Sequence, residues 1–311
     1  MAVTSDLHPL THPSTPVARR FPSPRAALEL IKPITWFPPM WAYLCGAISA
    51  GRPLGDNLGL LLVGIALSGP IVCGMSQAAN DWCDRHVDAI NEPGRPIPSG
   101  RIPGRWGLWI ALAMSVLSLA VGWLLGPWGF AATVAGVVAA WAYSAEPVRL
   151  KRSGWLGPGL VGLCYEGLPW FTGAAVVGQG LPALPVILLA LLYAIGAHGI
   201  MTLNDFKALQ GDRATGVNSL PVMLGPDRAA RLACWVMVVP QAVVVTLLVL
   251  WGRPLHALAV AALLIGQLAA MRVLLRDPRA RAPWYNGTGV LMYVTGMMAS
   301  ALAVRGLELL P

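Results

Sequence analysis

Residues 80 to 92, NDWCDRHVDAINE, hold four acids, and residues 204 to 212, NDFKALQGD, hold two more behind the same Asn-Asp opening. If both runs are helical, Asp81, Asp84 and Asp88 stand at i, i+3 and i+7, and Asp205 and Asp212 at i and i+7. Each set then occupies one stripe. Five ionised carboxylates on two facing stripes repel one another unless something cationic lies between them. Magnesium suits that place: it is hard, prefers carboxylate oxygens, keeps several waters and is completed by phosphate oxygens rather than by a full protein cage. Arg85, Lys207 and Arg213, in or beside the same runs, are placed to hold the remaining phosphate charge. A charged cytoplasmic loop is often just a solvated face. Such a face, however, has no reason to repeat Asn-Asp at a helix end with its acids again on one stripe.

The elements that position these acids are written in apolar residues. Because 56% of the 311 residues are hydrophobic, only 12% are charged and the mean hydropathy is +0.62, the chain is a membrane protein. A bilayer core about 30 Å thick takes roughly 20 residues per helix at about 1.5 Å each. Nine segments meet that demand, at about 35–52, 58–79, 106–125, 128–144, 157–178, 182–203, 229–251, 255–275 and 285–304. The expected fold is all-α, a polytopic integral membrane helical bundle, with residues 1–30 a mobile cytoplasmic tail and 31–311 a single transmembrane domain. Nineteen of the 22 Lys and Arg residues fall on the side of the two acidic loops, leaving Arg52, Arg253 and Arg305 opposite. The positive-inside rule puts the N-terminus and both acidic loops in the cytoplasm and the C-terminus outside. A basic balance of this kind addresses lipid headgroups and phosphate, so the bilayer is the partner and nucleic acid is not. The five cysteines form no CxxC pair, which offers neither a disulfide framework nor a zinc site.

The stretches NDWCDRHVD and NDFKALQGD resemble the two aspartate-rich motifs of the intramembrane prenyltransferases of the UbiA superfamily, the first matching the form NDxxDxxxD. Within it, NDWCDRHVDAINEPGRPIPSGRI, WAYSAEPVRLKRSGWLGPGLVGLCYEGLPWFTGAA and NDFKALQGDRATGVNSLPV are similar to the branch that esterifies magnesium tetrapyrroles. One departure is Ala208, where many superfamily members have a further acid in the second motif. The resemblance implies a UbiA-type bundle with a geranylgeranyl or phytyl diphosphate as donor and the propionate of bacteriochlorophyllide a as acceptor. It implies magnesium held by Asn80, Asp81, Asp84, Asp88, Asp205 and Asp212, with the diphosphate also meeting Asn204 and the basic loop Arg149, Lys151 and Arg152 behind Tyr143-Ser144. It further implies a bacterial inner, cytoplasmic or intracytoplasmic, membrane and other pigment-pathway proteins as partners. A propionate is already ionised at neutral pH, so no general base is required of the chain. An aromatic ring acceptor, as in quinone or haem-type relatives, would have to lose a proton.

Glu166 and His198 fall inside predicted spans, where a charge at mid-helix costs about 2.5 to 3.5 kcal/mol, so both should face the bundle interior. They are expected either to meet the tetrapyrrole, His198 as a ligand of its central magnesium, or to form a satisfied interhelical pair. Trp170 and Tyr143 are further candidates for tetrapyrrole contact, whereas most other tryptophans lie at span ends as interfacial anchors. A secondary transporter or a pigment-binding membrane protein could share the helix count. A transporter's coupling acids, though, belong near the midplane, and a pigment-binding protein does not need paired Asp motifs.

Overall fold

A computed structural model describes residues 21–307. Among them the regular structure is helical throughout, with one isolated bridge, Ser153 to Asn218. Of the expected tail, residues 1–20 lie outside the described residues. Pro24–Leu30 is a short helix capped by the Ser23 hydroxyl, with Ala26 and Leu30 buried.

Six helical stretches are long and apolar enough to cross a membrane: Gly55–Asn91, Trp106–Leu124, Leu156–Gly178, Leu184–Thr215, Pro226–Leu250 and Pro254–Leu274. The other three expected spans are helical but fall short by that standard. Phe37–Ser49 has only 13 residues, and Gly126–Ser144 and Pro278–Ala303 are long enough but dilute Val and Leu with Gly, Ser and Thr. Prolines open many of these helices, because a first-turn residue needs no N–H partner and proline's fixed φ already suits a helix.

The helices pack through small residues, as expected where lipid removes the hydrophobic incentive for association. Phe37–Ser49 lies so close to Leu168–Gly178 that a Cβ at Gly46 would come within 1.9 Å of the Trp170 carbonyl oxygen. One at Gly173 would come within 2.1 Å of that of Tyr43. Leu184–Asn204 packs on Pro226–Leu250, and Pro254–Leu274 on Pro278–Ala303. Two buried glutamines, Gln241 and Gln267, exchange amide hydrogen bonds of 3.1 and 2.8 Å and so satisfy each other across helices.

Two of the long stretches are not uniformly α-helical. Leu67–Cys73, which contains Pro70, and Leu163–Gly167 wind as π-helix. A proline inside a helix withdraws a backbone donor and crowds the preceding turn, one recognised cause of such widening and kinking. Both wide segments border the cavity described next.

Candidate active site

A cavity of about 1290 Å³ opens among these helices, larger than the usual few hundred to 1,000 Å³ of a small-molecule pocket. One end is apolar, lined by Leu67, Val72, Ala132, Leu160, Val161 and Leu168; the other holds the acids. On Gly55–Asn91 the residues facing it include Cys73, Gln77, Asn80, Asp84 and Asp88, which follow the three- and four-residue steps of one helical stripe. The acidic stripe is therefore Asn80, Asp84 and Asp88.

Asp81 is not among the lining residues. It is 1% exposed, with Oδ1 2.6 Å from Lys32 Nζ and 3.4 Å from Arg95 Nη1. The same Arg95 nitrogen lies 2.9 Å from Asp88 Oδ2, and Arg95 Nε donates to Glu92. Asp81 thus joins the start of the bundle to the loop after the first motif, one step removed from the cavity. Asp84 faces the basic loop: Arg149 Nη2 lies 2.9 Å from Oδ1, and Lys151 pairs with Oδ2. Burial pulls the Lys151 ammonium below its ordinary range, against the opposing pull of Asp84.

The basic loop is tied to the second motif by backbone. Gly154 N–H donates to Asn218 O at 2.8 Å, and Asn218 N–H to Arg152 O at 3.1 Å. A Cβ at Gly154 would meet that oxygen and Leu220 N, both at 2.6 Å, so only glycine fits.

The second acidic run leaves the α-helix at Asn204, passes through a 3-10 turn, Asp205–Ala208, and resumes as Leu209–Thr215. Asn204, Asp205, Lys207 and Asp212 line the cavity. Asn204 Oδ1 accepts from Asn286 at 2.7 Å, and Asp212 Oδ2 accepts from the Ser219 hydroxyl at 2.7 Å. Beyond the apolar part of its helix, the Asp205 carboxyl is pushed up to about 7, first by burial and then by Asp212, with Lys207 offsetting part.

Hard oxygen donors, Asn80, Asp84 and Asp88 on one wall and Asp205 and Asp212 on the other, thus border one cavity mouth. Among the described residues no three acidic, His or Cys side chains are close enough to hold an ion by themselves. The set fits a hard divalent cation that completes its shell with water and with a ligand's oxygens, as magnesium commonly does with phosphates. Burial raises both Asp205 and Asp212, and Asp212 raises Asp205 further, so this wall has the corresponding need for positive charge.

Other expected site residues divide. Arg149, Lys151, Arg152, Lys207 and Tyr143 line the cavity. Arg85 does not: it stacks 4.1 Å over the Trp82 ring and donates to the Trp82 carbonyl. Arg213 is exposed and also outside the lining. Trp170 is fully buried, donates to Ser49 Oγ at 3.1 Å and stacks on Tyr193, so it is a core residue. His198 lies 3.2 Å from the Trp155 carbonyl and 3.4 Å from the Thr202 hydroxyl, away from the cavity lining. Glu166 is 4% exposed and off the lining, with Oε2 unpartnered. Arg95 was not among the expected site residues, yet it lines the mouth; its only sequence signal is the GRP that follows the first motif.

The chain is similar to known proteins over its whole length. The chain is 69% identical over 311 residues, all of both chains, to the bacteriochlorophyll synthase 33 kDa chain of Cereibacter sphaeroides. A solved digeranylgeranylglyceryl phosphate synthase superposes with a TM-score of 0.68 at 20% identity, over 91% of this chain and 99% of that one. A UbiA homologue from Archaeoglobus fulgidus bound to GPP and Mg2+ gives 0.62 at 19% identity, over 91% and 100%. At such identities these two structures speak for the fold alone. The family model for UbiA prenyltransferases matches residues 36–296, and the chain belongs to the UbiA prenyltransferase family.

Proposed function

We propose that the chain transfers a geranylgeranyl or phytyl group from its diphosphate to the propionate of bacteriochlorophyllide a, in a magnesium-dependent reaction at the cytoplasmic face of a bacterial inner membrane. The observation that carries this reading is one cavity with an acid-and-cation mouth and an apolar floor, in a chain so similar to a named bacteriochlorophyll synthase. On this reading Asn80, Asp84 and Asp88 on one wall, and Asp205 and Asp212 on the other, hold magnesium. Bound there, the ion supplies Lewis acidity and neutralises the leaving diphosphate.

The chain's own residues do the rest. Arg149, Lys151, Arg152 and Lys207 take the diphosphate oxygens, and the cations now paired to Asp84 are already placed beside them. Leu67, Val72, Leu160, Val161 and Leu168 receive the prenyl tail, and the surrounding helices keep water from the allylic carbon as its bond to oxygen breaks. A carboxylate oxygen of the acceptor then bonds to that carbon. Since the acceptor arrives ionised, no proton need be removed by the protein. The distribution of 19 of 22 basic residues on one side supports a cytoplasmic N-terminus and an outward C-terminus.

The test is pigment esterification by purified protein with bacteriochlorophyllide a and geranylgeranyl diphosphate, with and without magnesium, beside Asp84→Asn. Ester that needs magnesium and falls by about 100-fold or more in the variant is expected, the size of loss seen when one transition-state contact is removed. A folded wild-type protein that forms no prenylated product with this pigment, chlorophyllide or an aromatic acceptor overturns the reading.

A further inference from the structure

Deeper than the acids, the cavity wall carries a small polar cluster built by the two π-helical segments and the residues beside them. Tyr165, from Leu163–Gly167, meets Cys73, the last residue of Leu67–Cys73, and Gln77 one turn further on. Gln77 Nε2 donates to the Tyr165 oxygen at 3.1 Å and Cys73 Sγ donates to it at 3.4 Å; all three residues line the cavity. A phenol oxygen has two lone pairs and one proton. Gln77 fills one lone pair, and the single Cys73 proton is divided between the phenol oxygen and the Thr35 carbonyl, also 3.4 Å away, so the Tyr165 hydroxyl keeps its proton to offer and Gln77 has a second N–H beside it.

Three neighbouring hydroxyls are already committed. Ser76, Thr133 and Thr172 each donate to a carbonyl of their own helix, at 2.7, 2.7 and 2.6 Å. Every Lys, Arg, Asp and Glu lining the cavity belongs to the mouth, from Asp84 outward along Gly55–Asn91 or on the two loops facing it. Gln77 shares the stripe of Asn80 and Asp84 but lies seven residues deeper than Asp84, about 10 Å along a helix. A diphosphate held at the mouth puts the first carbon of its prenyl chain between Asp84 and Gln77, because that carbon is one ester oxygen removed from phosphorus.

We propose that Tyr165 and Gln77 anchor the carboxylate of the acceptor, setting one of its oxygens against the allylic carbon. This rests on the proposed prenyl transfer to a carboxylate. The new carbon–oxygen bond uses an electron pair of that oxygen, while diphosphate leaves with the pair of the bond it breaks. Neutral donors suit the task, because a hydrogen bond from a phenol or amide orients the carboxylate without forming the tight ion pair that would blunt it as a nucleophile.

The test compares bacteriochlorophyllide a with its methyl ester, which keeps the ring and loses the charge. Binding is read from quenching of tryptophan fluorescence, without prenyl diphosphate, for wild type, Tyr165→Phe and Gln77→Leu. The wild type should favour the free acid by about tenfold, the worth of one charge-assisted hydrogen bond, and each variant should bring the ratio towards one. In turnover, KM for the pigment should rise by a similar factor while KM for geranylgeranyl diphosphate stays put. An unchanged acid-to-ester ratio in both variants, or a rise confined to KM for the diphosphate, overturns the anchor. A wild type that binds pigment with the stated preference but makes no ester would instead sink the proposed reaction and leave the anchor standing.

Discussion

Asp81 and Asp84 stand three residues apart in one motif, yet the structure gives them different surroundings, and Asp81→Asn reads the difference. The carboxylate of Asp81 is 2% exposed and paired with Lys32 at 2.6 Å and Arg95 at 3.4 Å. Removing one member of a buried ion pair costs about 3 to 5 kcal/mol when the surviving charge stays buried. Lys32 is 26% exposed and can turn to water, and Arg95 retains Asp88 and Glu92, so the cost here should be lower, about 2 kcal/mol. At about 2 to 4 °C per kcal/mol for a chain of this size, Tm should fall by about 4 to 8 °C. Circular dichroism of the detergent-purified protein measures it. Adding Lys32→Met should return part of the loss, since the stranded ammonium is gone, and a double-mutant cycle gives the coupling. Prenyl transfer, meanwhile, should drop by no more than about 10- to 100-fold, as for a residue that orients others, with its magnesium dependence unmoved. If Asp81→Asn left Tm unchanged but shifted the magnesium requirement as Asp84→Asn does, Asp81 would be a ligand and its assignment to the Lys32–Arg95 lock would be wrong.

Three further outcomes follow from the geometry. Because the Asp205 carboxyl sits at about 7, protons compete with a bound cation near neutrality, so apparent magnesium affinity should weaken from pH 8 to pH 6, measured by titrating turnover with the metal. For stability without metal the sign is opposite: a carboxyl raised above its unfolded value binds its proton more tightly when folded, so Tm should rise as pH falls from about 8 towards 5. Gly154→Ala should loosen the basic loop from Asn218, raising KM for the prenyl diphosphate while leaving pigment binding intact; an unchanged KM would show that the bridge does not position Arg149 and Lys151.

Much of the architecture was legible because it is written in long-range composition. The runs before Asn80 and Asn204 had to be helices, since only helices and closed barrels satisfy a backbone in lipid and these apolar runs are too long for barrel strands. What spacing could not decide was which face of the first motif looks inward. Positions 81, 84 and 88 and positions 80, 84 and 88 are both acceptable helical stripes, and the choice depends on where Lys32 and Arg95 lie in space. For Trp170 and His198 the sequence supports both a pigment contact and a satisfied contact between helices. Trp170 finds Ser49 and Tyr193, and His198 finds Trp155 and Thr202, contacts between distant segments that no local pattern announces. Arg95 carries no periodic signal because it follows a helix end, where neither period applies.

The wide turn at Leu67–Cys73 holds one residue of slack in the helix that carries the first motif. Each α-helical residue turns the helix by about 100°, and a π turn takes in an extra residue over nearly the same rotation and rise. A residue deleted within the wide turn is therefore absorbed as it tightens to α-helix, with Asn80, Asp84 and Asp88 still facing the cavity. A residue deleted in the regular helix between Gly74 and Asn80 meets no such slack. Each side chain beyond it would take the place of the one before, and Asp81, Arg85 and Ala89 would face the cavity: every acid would stay in the protein while one wall of the site was dismantled.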